Sequence, residues 1–401
     1  MDSLRSLKRF AKRWQGLIAL SIALASTIIL ALGLSGDNQG DVAWYQWMIS
    51  DWLGGKLPYL GHVVEYPPYA LGLFYLPWLL GAKFYLFNFM ILALVADVMI
   101  KVILFVIAGR SKENPRAYWP LAFYSVAVVF ISYLYLQRFD VWPALLVLMA
   151  IWLFWKNKFM LSGIFLAVAI GVKLYPAVFF VPLLIMAIRK KSWLSFVGGV
   201  VLGLAPLAII GEYLPWWNFL QFQGSRGLQV ESFYASLIWF FHHLGLVDAT
   251  WIRTTAWYEV QGTLSSLVAS LAKYIFVIAN VWSALFAAWA IVRSKVSTFS
   301  ISDVARLSLC VLLPFIVWNI VISPQYMIWL IPLAALSLLG GQKTQIFLLF
   351  VAIALTPLIY PVPDYFDGGL NLFHTVVLLV RNILLAVAWV WLMIEIYGKR
   401  K

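Results

Sequence analysis

KNKFMLSGIFLAVAIGVKLYPAVFFVPLLIMAIRKK, residues 156–191, decides how this chain is built. Two apolar runs, 157–173 and 174–189, meet at a tight break, Tyr175-Pro176. Lys156 and Lys158 flank the start of the first run, and Arg189, Lys190 and Lys191 flank the end of the second. A helix crosses a bilayer core with roughly 20 apolar residues, and two crossings in succession return the chain to the side it left. Both basic clusters therefore share one side, and Lys173, at the break, belongs to the other. The positive-inside rule makes the clustered side cytoplasmic.

The same alternation runs through the sequence. Further basic clusters are Arg5, Lys8, Arg9, Lys12 and Arg13; Arg110, Lys112 and Arg116; Arg293 and Lys295; Lys343; and Lys399, Arg400 and Lys401. Together the clusters hold the larger part of the 29 basic residues. The apolar runs between them are 14–34, 84–108, 117–136, 141–156, 157–173, 174–189, 193–211, 264–292, 301–322, 326–340, 345–360 and 372–397. This gives an all-α polytopic membrane protein of about 12 transmembrane helices with both termini inside. The first run follows a basic stretch as in a signal peptide, but its length and the lack of a small-residue cleavage site suit a retained span. Two shorter apolar segments, 66–80 and 233–246, would invert the later basic clusters if they crossed, so they are expected to lie in the outer interface. That leaves two large external loops, 35–83 and 212–263, in a single domain covering 1–401.

Composition agrees. The chain is 64% hydrophobic and 11% charged, against about 45–50% apolar and roughly 25% charged in soluble domains. The net charge of +13 needs no nucleic acid as partner, because basic loops face an anionic leaflet of membrane lipids. The single cysteine, Cys310, sits in an apolar run and excludes an intramolecular disulfide. His62 and His374 are isolated and His242-His243 lacks metal-ligand spacing. No P-loop, HExxH, GxSxG or Rossmann fingerprint occurs, which leaves ATP-driven and serine-hydrolase chemistry without support.

The unusual polar residues fall in the external loops. Asp41 precedes Trp44, Trp47, Met48 and Trp52 at helical spacing, so it stands at the start of a short interfacial helix, as a cap, as a general base, or as both. Arg138-Phe139-Asp140 joins two runs, where a local ion pair is the plain reading. Lys173 must snorkel, pair or bind an anion. Arg226 and Glu231 lead into 233–246 in a loop that could simply be solvated. Neither Lys173 nor Arg226 has an acid within four residues on its N-terminal side, which leaves both charges for an anionic ligand. Asp364 and Asp367 form a carboxylate pair in a Pro/Gly-rich turn that favours plain solvation. Asp97 and Lys101, at i,i+4 within a run, read as a structural ion pair.

In order, these motifs form a set. Gly40-Asp41 with Tyr45, Pro58-Tyr59, Glu65-Tyr66-Pro67-Pro68, Arg138-Phe139-Asp140, Lys173-Leu174-Tyr175-Pro176, Gln229-Val230-Glu231-Ser232, and Ser323-Pro324-Gln325-Tyr326 with Trp329 and Pro332 resemble the polyprenol-phosphate-mannose-dependent mannosyltransferases of glycosyltransferase family 87, in the GT-C superfamily. The resemblance runs over roughly 36–335, and the tail after 340 matches no motif of the set. It implies a polyprenyl-phosphate-linked sugar donor, usually a mannose donor, a lipid or glycan acceptor, and a catalytic aspartate in the first external loop, which falls on Asp41 rather than Asp37. Glu65, Tyr66, Asp140, Glu231, Gln325 and Tyr326, which sit in these motifs, are the expected substrate contacts. The loop lacks an Asp-x-Asp pair, so neither a metal nor another cofactor is expected. A departing lipid phosphate needs cations rather than a strong acid, and Lys173, Arg226 and then Arg138 are the choices. The rival reading is a lipid-linked sugar transporter or flippase, which would be favoured by inverted repeats and midplane charges. No repeat is evident, and the polar residues gather at one surface.

Overall fold

The computed structural model describes residues 2–35, 40–61, 64–110, 114, 116–224, 226–253, 258–295, 298–341, 343–360 and 370–398. Asp37, His62, Asp364 and Asp367 lie outside the described residues. The chain is almost wholly helical. Helices α1 (Asp2–Leu32), α2 (Gly40–Leu53) and α3 (Pro68–Leu79) lead to α4 (Tyr85–Arg110), α5 (Trp119–Phe130), the short α6 (Ser132–Tyr135), α7 (Val141–Trp155) and α8 (Phe159–Val172). After these come α9 (Phe180–Arg189), α10 (Trp193–Gly211), α11 (Asn218–Gly224) and α12 (Phe233–His243). A two-stranded antiparallel hairpin, β1 (Thr250–Arg253) and β2 (Tyr258–Gln261), precedes α13 (Ser265–Arg293), α14 (Ile301–Val317), α15 (Tyr326–Ser337), α16 (Thr344–Leu355) and α17 (Leu372–Gly398).

Each apolar run expected to cross contains a helix. Among the described residues, five segments are long and apolar enough to cross a membrane: Trp14–Leu32, Ala82–Arg110, Trp193–Gly211, Ser265–Arg293 and Leu372–Gly398. Apart from the four-residue α6, the helices in the other runs are shorter, from 10 residues in α9 to 17 in α14. Some gain length from 3-10 turns, as Tyr175–Phe179 does before α9. α3 has 12 residues and α12 has 11. At 1.5 Å per residue neither reaches across a core about 30 Å thick, and neither do α5 and α9, so length does not separate α3 and α12 from the helices in the runs expected to cross.

Glycine sets a close contact between α8 and α10. Gly199 and Gly203 on α10 are four residues apart and face α8, and Gly163 on α8 faces back. A Cβ at Gly163 would run into the Phe196 carbonyl, and one at Gly199 into the Met160 carbonyl. With apolar solvent on the lipid side, helices gain from such close backbone approach more than from burying apolar surface. A polar cluster holds another part of the bundle. Lys101 Nζ lies 2.6 Å from Asp97 Oδ2 and donates to Thr27 Oγ1 at 2.8 Å. Tyr124 donates to Asp97 at 2.9 Å and meets the Tyr135 hydroxyl. This ties α1, α4, α5 and α6 together, so the pair expected from i,i+4 spacing is present with additional partners.

The elements that carry the polar loops are fixed by aromatic packing. Tyr45 of α2 stacks on Phe74 of α3 at 4.1 Å, and Tyr66 and Phe139 close edge-on around them. Further along, Val230 and Val260 bond to the backbone of Tyr258 and Leu228, so residues 228–230 run beside the hairpin. Ser232 caps α12 by accepting from Ala235 N–H.

Candidate active site

One cavity of about 610 Å3 gathers most of the loop residues read from the sequence. Asp41, Glu65, Tyr66, Arg138, Lys173, Arg226, Glu231, Gln325 and Tyr326 all line it. They come from the first turn of α2, the approach to α3, the turn before α7, the break after α8, the segment before α12, and the start of α15. Asp140 is different. It is fully buried behind the wall, where one oxygen meets Lys173 Nζ and the indole N–H of Trp329, each at 2.6 Å.

The ion pairs are long-range. Arg138 meets Asp41, not the neighbouring Asp140. Lys173 takes Asp140, and Arg226 takes Glu65 at 2.7 Å. The absence of nearby acids in the sequence therefore does not leave Lys173 and Arg226 without carboxylates, because their partners come from 33 and 161 residues away. Lys173 also sits over the rings of Phe139 at 4.5 Å and Trp329 at 5.1 Å, and Tyr175 and Tyr326 stack on that tryptophan. Cation–π contact and the Asp140 carboxylate together fix the ammonium at the cavity edge.

Burial sets the electrostatics. Desolvation pushes the Glu65 and Glu231 carboxyls above the usual carboxylate range, with Arg226 and Arg381 respectively pulling them back. Desolvation pulls the Arg138 guanidinium below its ordinary value, and Tyr360 and Asp140 counter it. Asp41 is the accessible carboxylate, with 38% of its side chain exposed against 14% for Glu65 and 4% for Glu231. Tyr45 donates to it from 3.5 Å, the long limit of a hydrogen bond. Asp41 thus lies inside the first turn of α2, one residue past its start at Gly40, and faces the cavity at the same time.

Four contributors are not among the residues expected from the sequence. Arg381 and Asn382 of α17 are fully buried. Arg381 donates to the Glu231 carboxylate at 2.9 Å and to its carbonyl at 3.2 Å, and Asn382 donates to the same carbonyl at 3.2 Å. Lys273 and Tyr360 line the cavity. For Arg381 the signal was there: an arginine in the middle of an apolar run marks a paired, internal position.

A search of curated proteins finds no match to the chain. The family model for glycosyltransferase family 87 matches residues 64–272, over half of the sequence. That stretch includes Glu65, Arg138, Lys173, Arg226 and Glu231 of the cavity wall, while Asp41 and Gln325 flank it. A match of that extent, over residues that converge on one cavity, means that the chain belongs to glycosyltransferase family 87.

Proposed function

We propose that this protein is an integral-membrane glycosyltransferase of GT-C type with about 12 transmembrane helices, moving a sugar, mannose in our reading, from a polyprenyl-phosphate donor to an acceptor hydroxyl on the extracytoplasmic face. Asp41 is the general base. One observation carries the reading: an accessible carboxylate and the cations Arg138, Lys173 and Arg226, distant in sequence, share the wall of one cavity. Its other wall, with Phe219, Phe276 and Phe315, suits a prenyl chain.

The chemistry is a single displacement. The acceptor oxygen attacks the anomeric carbon, its proton passes to Asp41, and the bond from that carbon to the phosphate oxygen breaks with its electron pair leaving on the lipid phosphate. Arg138 serves both partners. In the unliganded protein it holds the Asp41 carboxylate in an ion pair at the cavity wall. When the phosphate develops charge, the guanidinium is drawn to it, which frees Asp41 to act as a stronger base. Lys173, held over Phe139 and Trp329, supplies a fixed positive charge without having to reorganise.

The test is transfer by purified, reconstituted protein. Radiolabelled polyprenyl-phosphate-mannose should label an acceptor glycolipid extracted from the host membrane, and a nucleotide-linked mannose should not. Transfer from the nucleotide sugar in the absence of prenyl phosphate would sink the donor assignment. Sidedness has its own test. With Cys310→Ser as background, cysteines at Leu60 and Lys83, both exposed and on either side of α3, should react with an impermeant thiol reagent added from outside. Labelling of only one of them from that side would mean that α3 crosses.

A further inference from the structure

Four cations line the cavity, and three are matched by carboxylates: Arg138 by Asp41, Lys173 by Asp140 and Arg226 by Glu65. The fourth is Lys273 of α13. Among the described residues its bond is to the Gly224 carbonyl, at 3.3 Å, and no carboxylate meets it. This lysine also stands where a lysine is costly. It lies about 12 Å along α13 from Ser265, in a stretch where Leu271, Tyr274, Val277 and Ile278 are all exposed. An ionisable residue at such a place in a membrane helix is paired, lines a polar path or reaches for the interface. Lys273 turns sideways toward the end of α11 and the cavity.

The neighbours of Lys273 describe an opening. Val277, one turn along α13, lines the cavity and is 58% exposed. Phe276 and Phe315 meet edge-on at 5.4 Å, and together with Phe219 of α11 they give that end of the cavity an apolar wall. A ligand that entered there would pass between α11 and α13 from the lipid side. It would slide an apolar chain along these rings and bring an anionic group past Lys273 before reaching the neutralised pairs deeper in.

We propose that Lys273 is a phosphate-binding residue at a lateral portal between α11 and α13, where it takes the phosphate of a lipid entering from the membrane. The inference rests on the lipid-phosphate donor reading above and adds the route and the first contact. The other cavity cations are committed to carboxylates in the unliganded protein, so the portal lysine offers the first uncompensated charge. Its position suits a headgroup phosphate carried on a chain. Free phosphate from the aqueous side shares the same chemistry and is separated from it by experiment.

The experiment is binding of polyprenyl phosphate to the full chain in nanodiscs, followed by quenching of intrinsic tryptophan fluorescence and requiring no transfer. Lys273→Gln should weaken binding about ten-fold or more, the range expected for loss of a charge-assisted hydrogen bond. Lys273→Arg, which keeps the charge, should stay within a few-fold of wild type, and millimolar inorganic phosphate should compete weakly. Because Lys273 is exposed, both variants are expected to fold, and gel filtration checks it. Equal binding by Lys273→Gln and wild type overturns the portal assignment and leaves the donor reading intact. Full displacement by inorganic phosphate overturns the lipid as the source. Absence of polyprenyl phosphate binding by the wild-type protein overturns the donor reading itself, and the portal with it.

Discussion

Asp41→Asn is expected to lower transfer by about 10²–10⁴ while donor binding stays near wild type, the usual loss when a general base is removed. Asparagine keeps the volume of the side chain and an oxygen that can still accept from Arg138 and Tyr45, so the start of α2 and its packing through Tyr45 should survive. What it lacks is an oxygen able to take the acceptor proton. The measurement is single-turnover transfer with the donor bound in advance, alongside polyprenyl phosphate affinity. Wild-type turnover in the Asn variant would remove Asp41 from the chemistry and turn attention to Asp37 and Glu65. A loss of both turnover and donor affinity would instead give the Asp41–Arg138 contact a binding role.

How much of this was legible in the sequence follows from what spacing can show. Apolar runs between basic clusters marked helices well, because period and length are local properties. α2, α8, α10 and α13 begin within a few residues of where the sequence suggests. Asp41, Glu65, Arg138, Lys173, Arg226, Glu231 and Gln325 were legible as a set because each belongs to one of the ordered external-loop motifs or, for Arg226, lies just before one, and all seven line the cavity. The pairing was not legible. Arg138 and Asp140, two residues apart, invite a local bridge, yet each finds its partner across the fold, and only packing decides between them. Arg381 lay in a tail without a recognisable motif, so its link to Glu231, 150 residues earlier, could not be seen from the loop side.

Arg381→Leu is expected to destabilise the fold by about 3–5 kcal/mol, the cost of leaving a buried charge without its partner. The pair is enclosed, with 0% of the Arg381 side chain and 4% of the Glu231 side chain exposed. Asn382 holds the Glu231 carbonyl but offers nothing to the carboxylate, so it cannot take over. Burial already pushes the Glu231 carboxyl upward, and without Arg381 it would rise further and favour the protonated form. Stability of the single variant should therefore fall most steeply as pH rises, since deprotonation is what the folded state then resists. Replacing both partners, Glu231→Gln with Arg381→Leu, should recover much of the loss, because no uncompensated charge remains. Thermal unfolding in detergent at several pH values checks all three forms. A single variant as stable as wild type would mean that water reaches the pair. A double variant that recovers stability but not transfer would assign Glu231 to the substrate as well as to the fold.

The Asp97–Lys101 pair has a consequence for how the protein is made. A helix entering the bilayer with one bare charge near its middle is resisted, and α4 carries two of opposite sign one turn apart. The helix can cancel them within itself as soon as that turn winds, before any later segment is synthesised. Thr27, the further acceptor for Lys101, belongs to α1 and is already in place when α4 arrives. Tyr124 and Tyr135, which complete the cluster, emerge afterwards and add to a pair that is already neutral. Moving the acid from one turn before Lys101 to the tyrosine position on α5 would leave that ammonium to enter lipid without its partner until a further segment followed.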